Sequence, residues 1–397
     1  MPASPRAAGP ASVRRQRAWL VGLTLLAYLS CVGVKLGVHQ FDISRFVVAG
    51  DRFFSPKDLA YPIAVKPHSD GYDGQFFYRL ALDPLDTRRV AYGITMESHP
   101  VVRAQRIAYP AAAWALSLGQ GAAVPYALVA VNLLCVALIG WVAALLAAHF
   151  AVPARLGLLI PFHPGFVIAL CCDTAEIFAT TLALSGALAA ATRRWPLAAL
   201  LAGAAVLARE TTLLYLIGFG LVAVADGLRR RSFDRRIAWC LVPPIVFVLW
   251  QAVLKSIWGT LPFEDLGHHD LSTVPLVDYA RAVAGFGLAV IGRPFSYHAI
   301  FDWVSCLSVG VFVGFVAIEA VKRPAFLSFV IPWSLYVALA ALFTDAIWGE
   351  PLGYLRILCD VYVLGIATLI AAGNEAALRA MVPFVAVAWT ATVVFIL

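Results

Sequence analysis

The sequence predicts an all-α, polytopic membrane protein, on three observations. Sixty-one per cent of its 397 residues are hydrophobic and only 13 % are charged, about half the charge of an ordinary soluble domain. The apolar residues fall in blocks of roughly 14 to 26 between short charged stretches, which are the lengths of membrane-crossing helices. The short connections are rich in Arg, so the net charge of +7 reads as a positive-inside signal rather than a nucleic-acid footprint. The seven cysteines mostly lie inside apolar blocks with no CxxC or zinc spacing, and read as small hydrophobes.

The elements follow in order. Arg6, Arg14, Arg15 and Arg17 precede an apolar run over 18–38. That run is long for a signal-peptide core and has no convincing cleavage site, so it is expected as a first span that starts in the cytoplasm. Residues 39–122 form a long polar segment with eight of the 23 acidic residues, expected as an outer loop. Its apolar end, 106–118, is too short to span and is expected as a re-entrant or interface helix entered through Tyr109-Pro110. Further spans are expected at 124–149, 157–171, 173–192, 195–208, 211–227, 237–256, 298–319, 325–344, 354–372 and 380–397, about eleven with the first. This alternation puts Arg155, Arg193-Arg194, Arg229-Arg230-Arg231 and Lys322-Arg323 on the cytoplasmic side. A second outer loop, 257–297, carries Glu264, Asp265, His268, His269 and Asp270; a third carries Trp348 and Glu350. The whole chain, 1–397, reads as one integral-membrane domain, with no internal repeat.

On this topology most chemistry-bearing residues face outward. Ser69 to Asp86 concentrates Asp70, Asp73, Asp83 and Asp86 among aromatics. Asp73 stands in Gly71-Tyr72-Asp73-Gly74-Gln75, where flanking glycines let the backbone approach a ligand and present the carboxylate as a general base. The plain alternative is an Asp-Gly turn. Asp42, just after the first span, is a second base candidate or a cap with Ser44. Tyr72, Gln75, Arg79, Arg106 and Tyr109 are candidate substrate contacts, Arg79 for a carboxylate or a phosphate.

Asp173 and Glu176 share a face at a helix start, as an N-cap and capping-box pair or as functional intramembrane acids. Arg209-Glu210 interrupts an apolar run, either as a solvated ion pair or with Arg209 as a phosphate contact. Arg356 is a second phosphate candidate, or half of an i,i+4 pair with Asp360. His268-His269-Asp270 is a weak metal signal. Asp70, Asp73, Glu176 and Glu264 could supply oxygens to a divalent cation, though no spacing requires one. Walker A, GxSxG and HExxH motifs are absent, so nucleotide hydrolysis and the common hydrolase chemistries have no support.

In order along the chain, Tyr72-Asp73, Phe76-Phe77-Tyr78, Tyr109-Pro110, His163-Pro164 leading to Glu176, and Arg209 at the end of an alanine-rich span are similar to motifs of the GT-C glycosyltransferases. The pattern most resembles the GPI mannosyltransferase II (PIG-V-like) branch and related bacterial membrane transferases, over roughly residues 39 to 216. The resemblance implies a GT-C-like fold and inverting transfer of a sugar, hexosyl or mannosyl in type, from a polyprenyl-phosphate donor. The acceptor would be a glycan, lipid or protein on the outer face of a bacterial-like cytoplasmic membrane. Asp73 or Asp42 would be the base, and Arg209 and Arg356 the partners of the departing lipid phosphate. The alternatives are a transporter or flippase for a lipid-linked or anionic precursor, and a non-catalytic envelope-assembly protein.

Overall fold

A computed structural model of the chain describes residues 10–55, 59–96, 99–266, 271–292, 296–323 and 326–397. His268, His269 and Asp270 lie outside the described residues.

The fold is helical. Helix α1 (Pro10–Val38) leads to a segment of short pieces: α2 (Gly74–Leu82), α3 (Pro100–Gln105) and α4 (Ala108–Leu116). Two pairs of two-residue strands pin that segment, β1 (Ala49–Gly50) parallel to β2 (Val65–Lys66) and β3 (Val90–Ala91) antiparallel to β4 (Ile94–Thr95). Then come α5 (Val124–His149), α6 (Pro164–Cys171), α7 (Glu176–Ala191), α8 (Trp195–Val206), α9 (Leu214–Arg230) and α10 (Arg236–Trp258). The remainder is α11 (Pro262–Leu266), α12 (Val277–Ile291), α13 (Tyr297–Lys322), α14 (Leu327–Ala340), α15 (Asp345–Trp348), α16 (Pro351–Ile357), α17 (Cys359–Ala371) and α18 (Glu375–Ile396). Helices α3, α5, α6, α8 and α16 carry Pro in their first two positions, where its fixed φ suits a helix start and no hydrogen bond is lost.

Among the described residues, six helices are long and apolar enough to cross a membrane: Gln16–Val38, Gly121–His149, Glu210–Arg230, Arg236–Trp258, Tyr297–Lys322 and Glu375–Ile396. Four shorter apolar helices, Glu176–Ala191, Trp195–Val206, Leu327–Ala340 and Cys359–Ala371, accompany them. Two expected spans are broken. The 157–171 block is a 3-10 turn (Ala154–Leu159) followed by the buried eight-residue α6. Eight residues rise only about 12 Å, far less than a 30 Å hydrocarbon core. The 354–372 block is divided into α16 and α17 at Leu358, which ends one helix and begins the next.

Helix α5 is central, with 61 % of its most apolar window buried, whereas α10 is peripheral at 11 %. One contiguous cluster of buried side chains runs from Tyr28 to Val385, with two small satellites under the 39–122 segment and α10. Two glycines set how the short elements meet. A Cβ on Gly165 would sit 2.2 Å from the Leu355 carbonyl oxygen, so α6 lies directly on α16. A Cβ on Gly74 would sit 2.1 Å from the Cys172 carbonyl oxygen, so the start of α2 presses on the α6–α7 junction. Tetrahedral side chains cannot be accommodated at such distances, and close backbone approach of this kind requires glycine.

Candidate active site

The close contact at Gly74 places the preceding residue, Asp73, beside the start of α7. Asp73 adopts helical dihedrals at the N-cap of α2, just before Gly74, and its side chain makes no capping hydrogen bond. It accepts instead from Arg356 on α16: Nη2 lies 2.7 Å from Asp73 Oδ2. The other arm of the same guanidinium donates to Glu176, the first residue of α7, with Nη1 2.9 Å from Oε1. Arg356 is thus shared by two carboxylates that are 283 and 180 positions away in the chain. Tyr72 lies under it, its ring 4.9 Å from the guanidinium carbon.

The three charged groups differ in access. Arg356 and Glu176 side chains are 7 % and 3 % exposed, while Asp73 is 43 % exposed. Asp73 lines a cavity of about 160 Å³ together with Phe76, Phe77, His99, Val102, Arg103 and Arg106. Burial opposes ionisation of Asp73, but Arg356, Arg106 and Arg103 outweigh it and hold its pKa below the usual carboxylate value. The group is therefore ionised at neutral pH and able to accept a proton.

Two further ion pairs brace this centre. Arg106 grips Glu210 with both arms, Nε to Oε2 at 3.1 Å and Nη2 to Oε1 at 2.7 Å. Arg209 donates to Asp360 Oδ2 at 3.2 Å and to the Ile357 carbonyl at 2.7 Å. The second contact exists because the break at Leu358 frees the end of α16 from the helical hydrogen-bond ladder. Asp360 also accepts from Tyr215 at 2.7 Å and from Thr180 at 3.1 Å, so this buried carboxylate is well satisfied.

Two expected pairings are overturned. Arg209 and Glu210 do not pair with each other, and Arg356 does not pair with Asp360, because Leu358 removes the continuous helical register that would have put those two on one face.

Other expected residues take different places. Gln75 is buried, accepting from the Gly50 amide at 3.2 Å and donating to the Asp70 carbonyl at 2.8 Å, so it ties α2 to β1. Tyr109 is buried too, donating to the Leu128 carbonyl and accepting from Asn132. Arg79 is fully buried on Asp86, at 3.2 Å, and faces no cavity shared with Asp73. Asp42 accepts from the Ser44 amide at 3.0 Å as a cap and lines a separate cavity with Tyr61 and Tyr126. Asp173 is not a cap: it sits at φ 46°, fully buried, with neither carboxylate oxygen hydrogen-bonded, and Ala175 precedes the first turn of α7 instead. The four oxygen donors considered for a divalent cation do not gather. Asp70 pairs with Arg52, Arg356 stands on both Asp73 and Glu176, and Glu264 accepts from the Leu261 amide. Among the described residues no three His, Cys, Asp or Glu side chains form a metal-sized group.

Arg103 escaped the sequence reading. It stands three residues before Arg106 in the apolar run VVRAQRIAYP, and an unexplained second cation at helical spacing was the signal available. The chain matches no family model, and no curated protein matches it.

Proposed function

We propose that the chain is a membrane-embedded, inverting glycosyltransferase of GT-C type that uses a polyprenyl-phosphate sugar donor. The observation that carries this reading is Asp73, a half-exposed carboxylate at a cavity, held from behind by an arginine that Glu176 also anchors. Such an arrangement suits a general base, because the carboxylate is fixed, ionised and accessible at once.

In the proposed reaction an acceptor hydroxyl oxygen attacks the anomeric carbon from the face opposite the phosphate. Its proton passes to the Asp73 carboxylate. The bond between the anomeric carbon and the phosphate oxygen breaks, and its electron pair leaves with the polyprenyl phosphate. The acceptor is a glycan, lipid or protein, and the site opens on the outer face of a bacterial-like cytoplasmic membrane. The test uses purified protein in nanodiscs with synthetic polyprenyl-phosphate mannose or glucose and a cell-envelope glycan fraction, reading release of polyprenyl phosphate. Wild type and Asp42→Asn should release it and Asp73→Asn should not. Equal release from Asp73→Asn removes the base assignment.

A transporter or flippase is the second reading, favoured by Asp173. Buried carboxylates without partners recur along solute and proton paths in membrane proteins. Movement of a fluorescent lipid phosphate across liposomes, lost in Asp173→Asn and retained in Asp73→Asn, would select it.

A further inference from the structure

The departing phosphate of such a donor needs a cation, and the two expected for the role are already neutralised by carboxylates. Arg209 is committed to Asp360 and to the end of α16. Arg356 is divided between Asp73 and Glu176. Arg106, which also lines the cavity, has its fork closed on Glu210.

Arg103 is different. It lines the same cavity as Asp73 and has no ion pair among the described residues. Its Nη1 is buried with no hydrogen-bond partner among the described residues. The guanidinium carbon lies 3.2 Å from the centre of the Phe76 ring and 5.1 Å from that of Phe53, so two aromatic faces fix its plane. Stacking holds the group but leaves its in-plane N–H donors to be satisfied from elsewhere. Burial lowers its pKa to about 10, with Asp73 and Asp265 pulling it upward, so it remains a cation at neutral pH. A cation with an open donor, clamped by rings on the wall of a cavity, is matched by one planar or tetrahedral oxyanion.

We propose that Arg103 is the phosphate-binding residue of this cavity, donating from its guanidinium edge to the phosphate of the lipid-linked donor, while Arg356 and Arg209 position carboxylates. This rests on the glycosyltransferase reading for the identity of the ligand, and on the cavity alone for its charge and chemistry. Phosphate on Arg103 would place the anomeric carbon in the same cavity as the Asp73 carboxylate, as base-assisted displacement requires.

The experiment measures binding of phytanyl phosphate and, separately, inorganic phosphate to the full chain in nanodiscs, for wild type, R103Q, R103K and D73N. Phytanyl phosphate should bind wild type, with at least about tenfold weaker binding in R103Q and an intermediate loss in R103K, whose point charge lacks the fork and the stack. D73N should bind as tightly as wild type or more tightly, since a negative charge has been removed. With a hexose donor, R103Q should raise KM more than it lowers kcat, the reverse of D73N. If R103Q unfolds, R103K carries the comparison, and unchanged affinity in R103K overturns the assignment, as does unchanged affinity in a folded R103Q. Equal binding of inorganic and phytanyl phosphate, both lost in R103Q, supports the anion contact and overturns the lipid-linked source. Binding lost in R103Q with no sugar transfer by wild type supports Arg103 while removing the glycosyltransferase reading.

Discussion

Arg79 and Arg356 are both buried arginines on carboxylates, yet they sit in regions that differ in access to solvent. Arg79 is 0 % exposed and its partner Asp86 is 5 % exposed, so that pair is closed to solvent on both sides. It clamps the turn after α2, where Arg88 also holds Asp86 and the Tyr92 ring covers Arg79. Arg356 is equally enclosed, but one of its two partners is Asp73, 43 % exposed at a cavity. Burial of a cation therefore does not by itself separate a structural clamp from the proposed active centre. Access to its partner does, since a group must meet a substrate to act on it.

Each half of this contrast can be broken separately. The largest expected effect is on chemistry: Asp73→Asn should lower sugar-transfer turnover by about 10²–10⁴-fold, the usual contribution of a general base. Its melting temperature should stay close to wild type, because Arg356 keeps Glu176. A large loss of thermal stability instead would turn Asp73 into a second clamp. Asp86→Ala should do the opposite. Stranding a fully buried Arg79 should cost about 3–5 kcal/mol in unfolding experiments, with turnover per folded molecule unchanged. Reduced turnover in the folded fraction would tie the clamp to the site after all.

Gly74→Ala joins the two halves, since the new methyl would collide with the Cys172 carbonyl and push Asp73 away from Arg356. A stability loss of about 1–3 kcal/mol is expected, accompanied by lower turnover. Full activity would show that the position of Asp73 is not set by this contact.

The pH dependence separates them more finely. Hydrogen bonding to Arg88 comes first among the causes that bring the pKa of Asp86 down to about 2. A depressed carboxylate stabilises the fold fully above its unfolded pKa, about 3.9, and that contribution is lost as pH falls through the folded value. Acid unfolding of wild type should therefore show a component between about pH 4 and 2 that Asp86→Ala lacks. The Asp73 pKa is also lowered, so the acid limb of activity should fall below the ordinary carboxylate range. An acid limb near pH 6 would assign the base to another group. The smallest effect is expected for Asp42→Asn. Asn caps as well as Asp, so stability should change by less than about 0.5 kcal/mol and turnover not at all.

Much of this is legible in the sequence. Charges among apolar residues stand out, because each must be compensated in a medium without water. Glu176, Arg209 and Arg356 could therefore be singled out from their surroundings alone, and Asp73 from the glycines and aromatics on either side of it. Their partners could not. Neighbours in sequence suggested Arg209 with Glu210 and Arg356 with Asp360, whereas the observed pairs join residues 104 to 283 positions apart. Arg103 was overlooked for a related reason: its lack of an ion pair among the described residues is a property of the space around it.

By itself, then, the sequence determined the helical class, the long polar segment between α1 and α5, and most of the charged residues that meet at the candidate site, because hydropathy and charge are local properties that each residue contributes wherever it lies. Only the tertiary structure decided which charges meet. It did so through two glycine contacts and one helix break, which bring α2 and α7 onto Arg356 of α16 and leave Arg103 facing the cavity with no ion pair among the described residues. Ion pairing falls off steeply with distance, so a shift of a few ångströms in how short helices pack is enough to choose one partner over another.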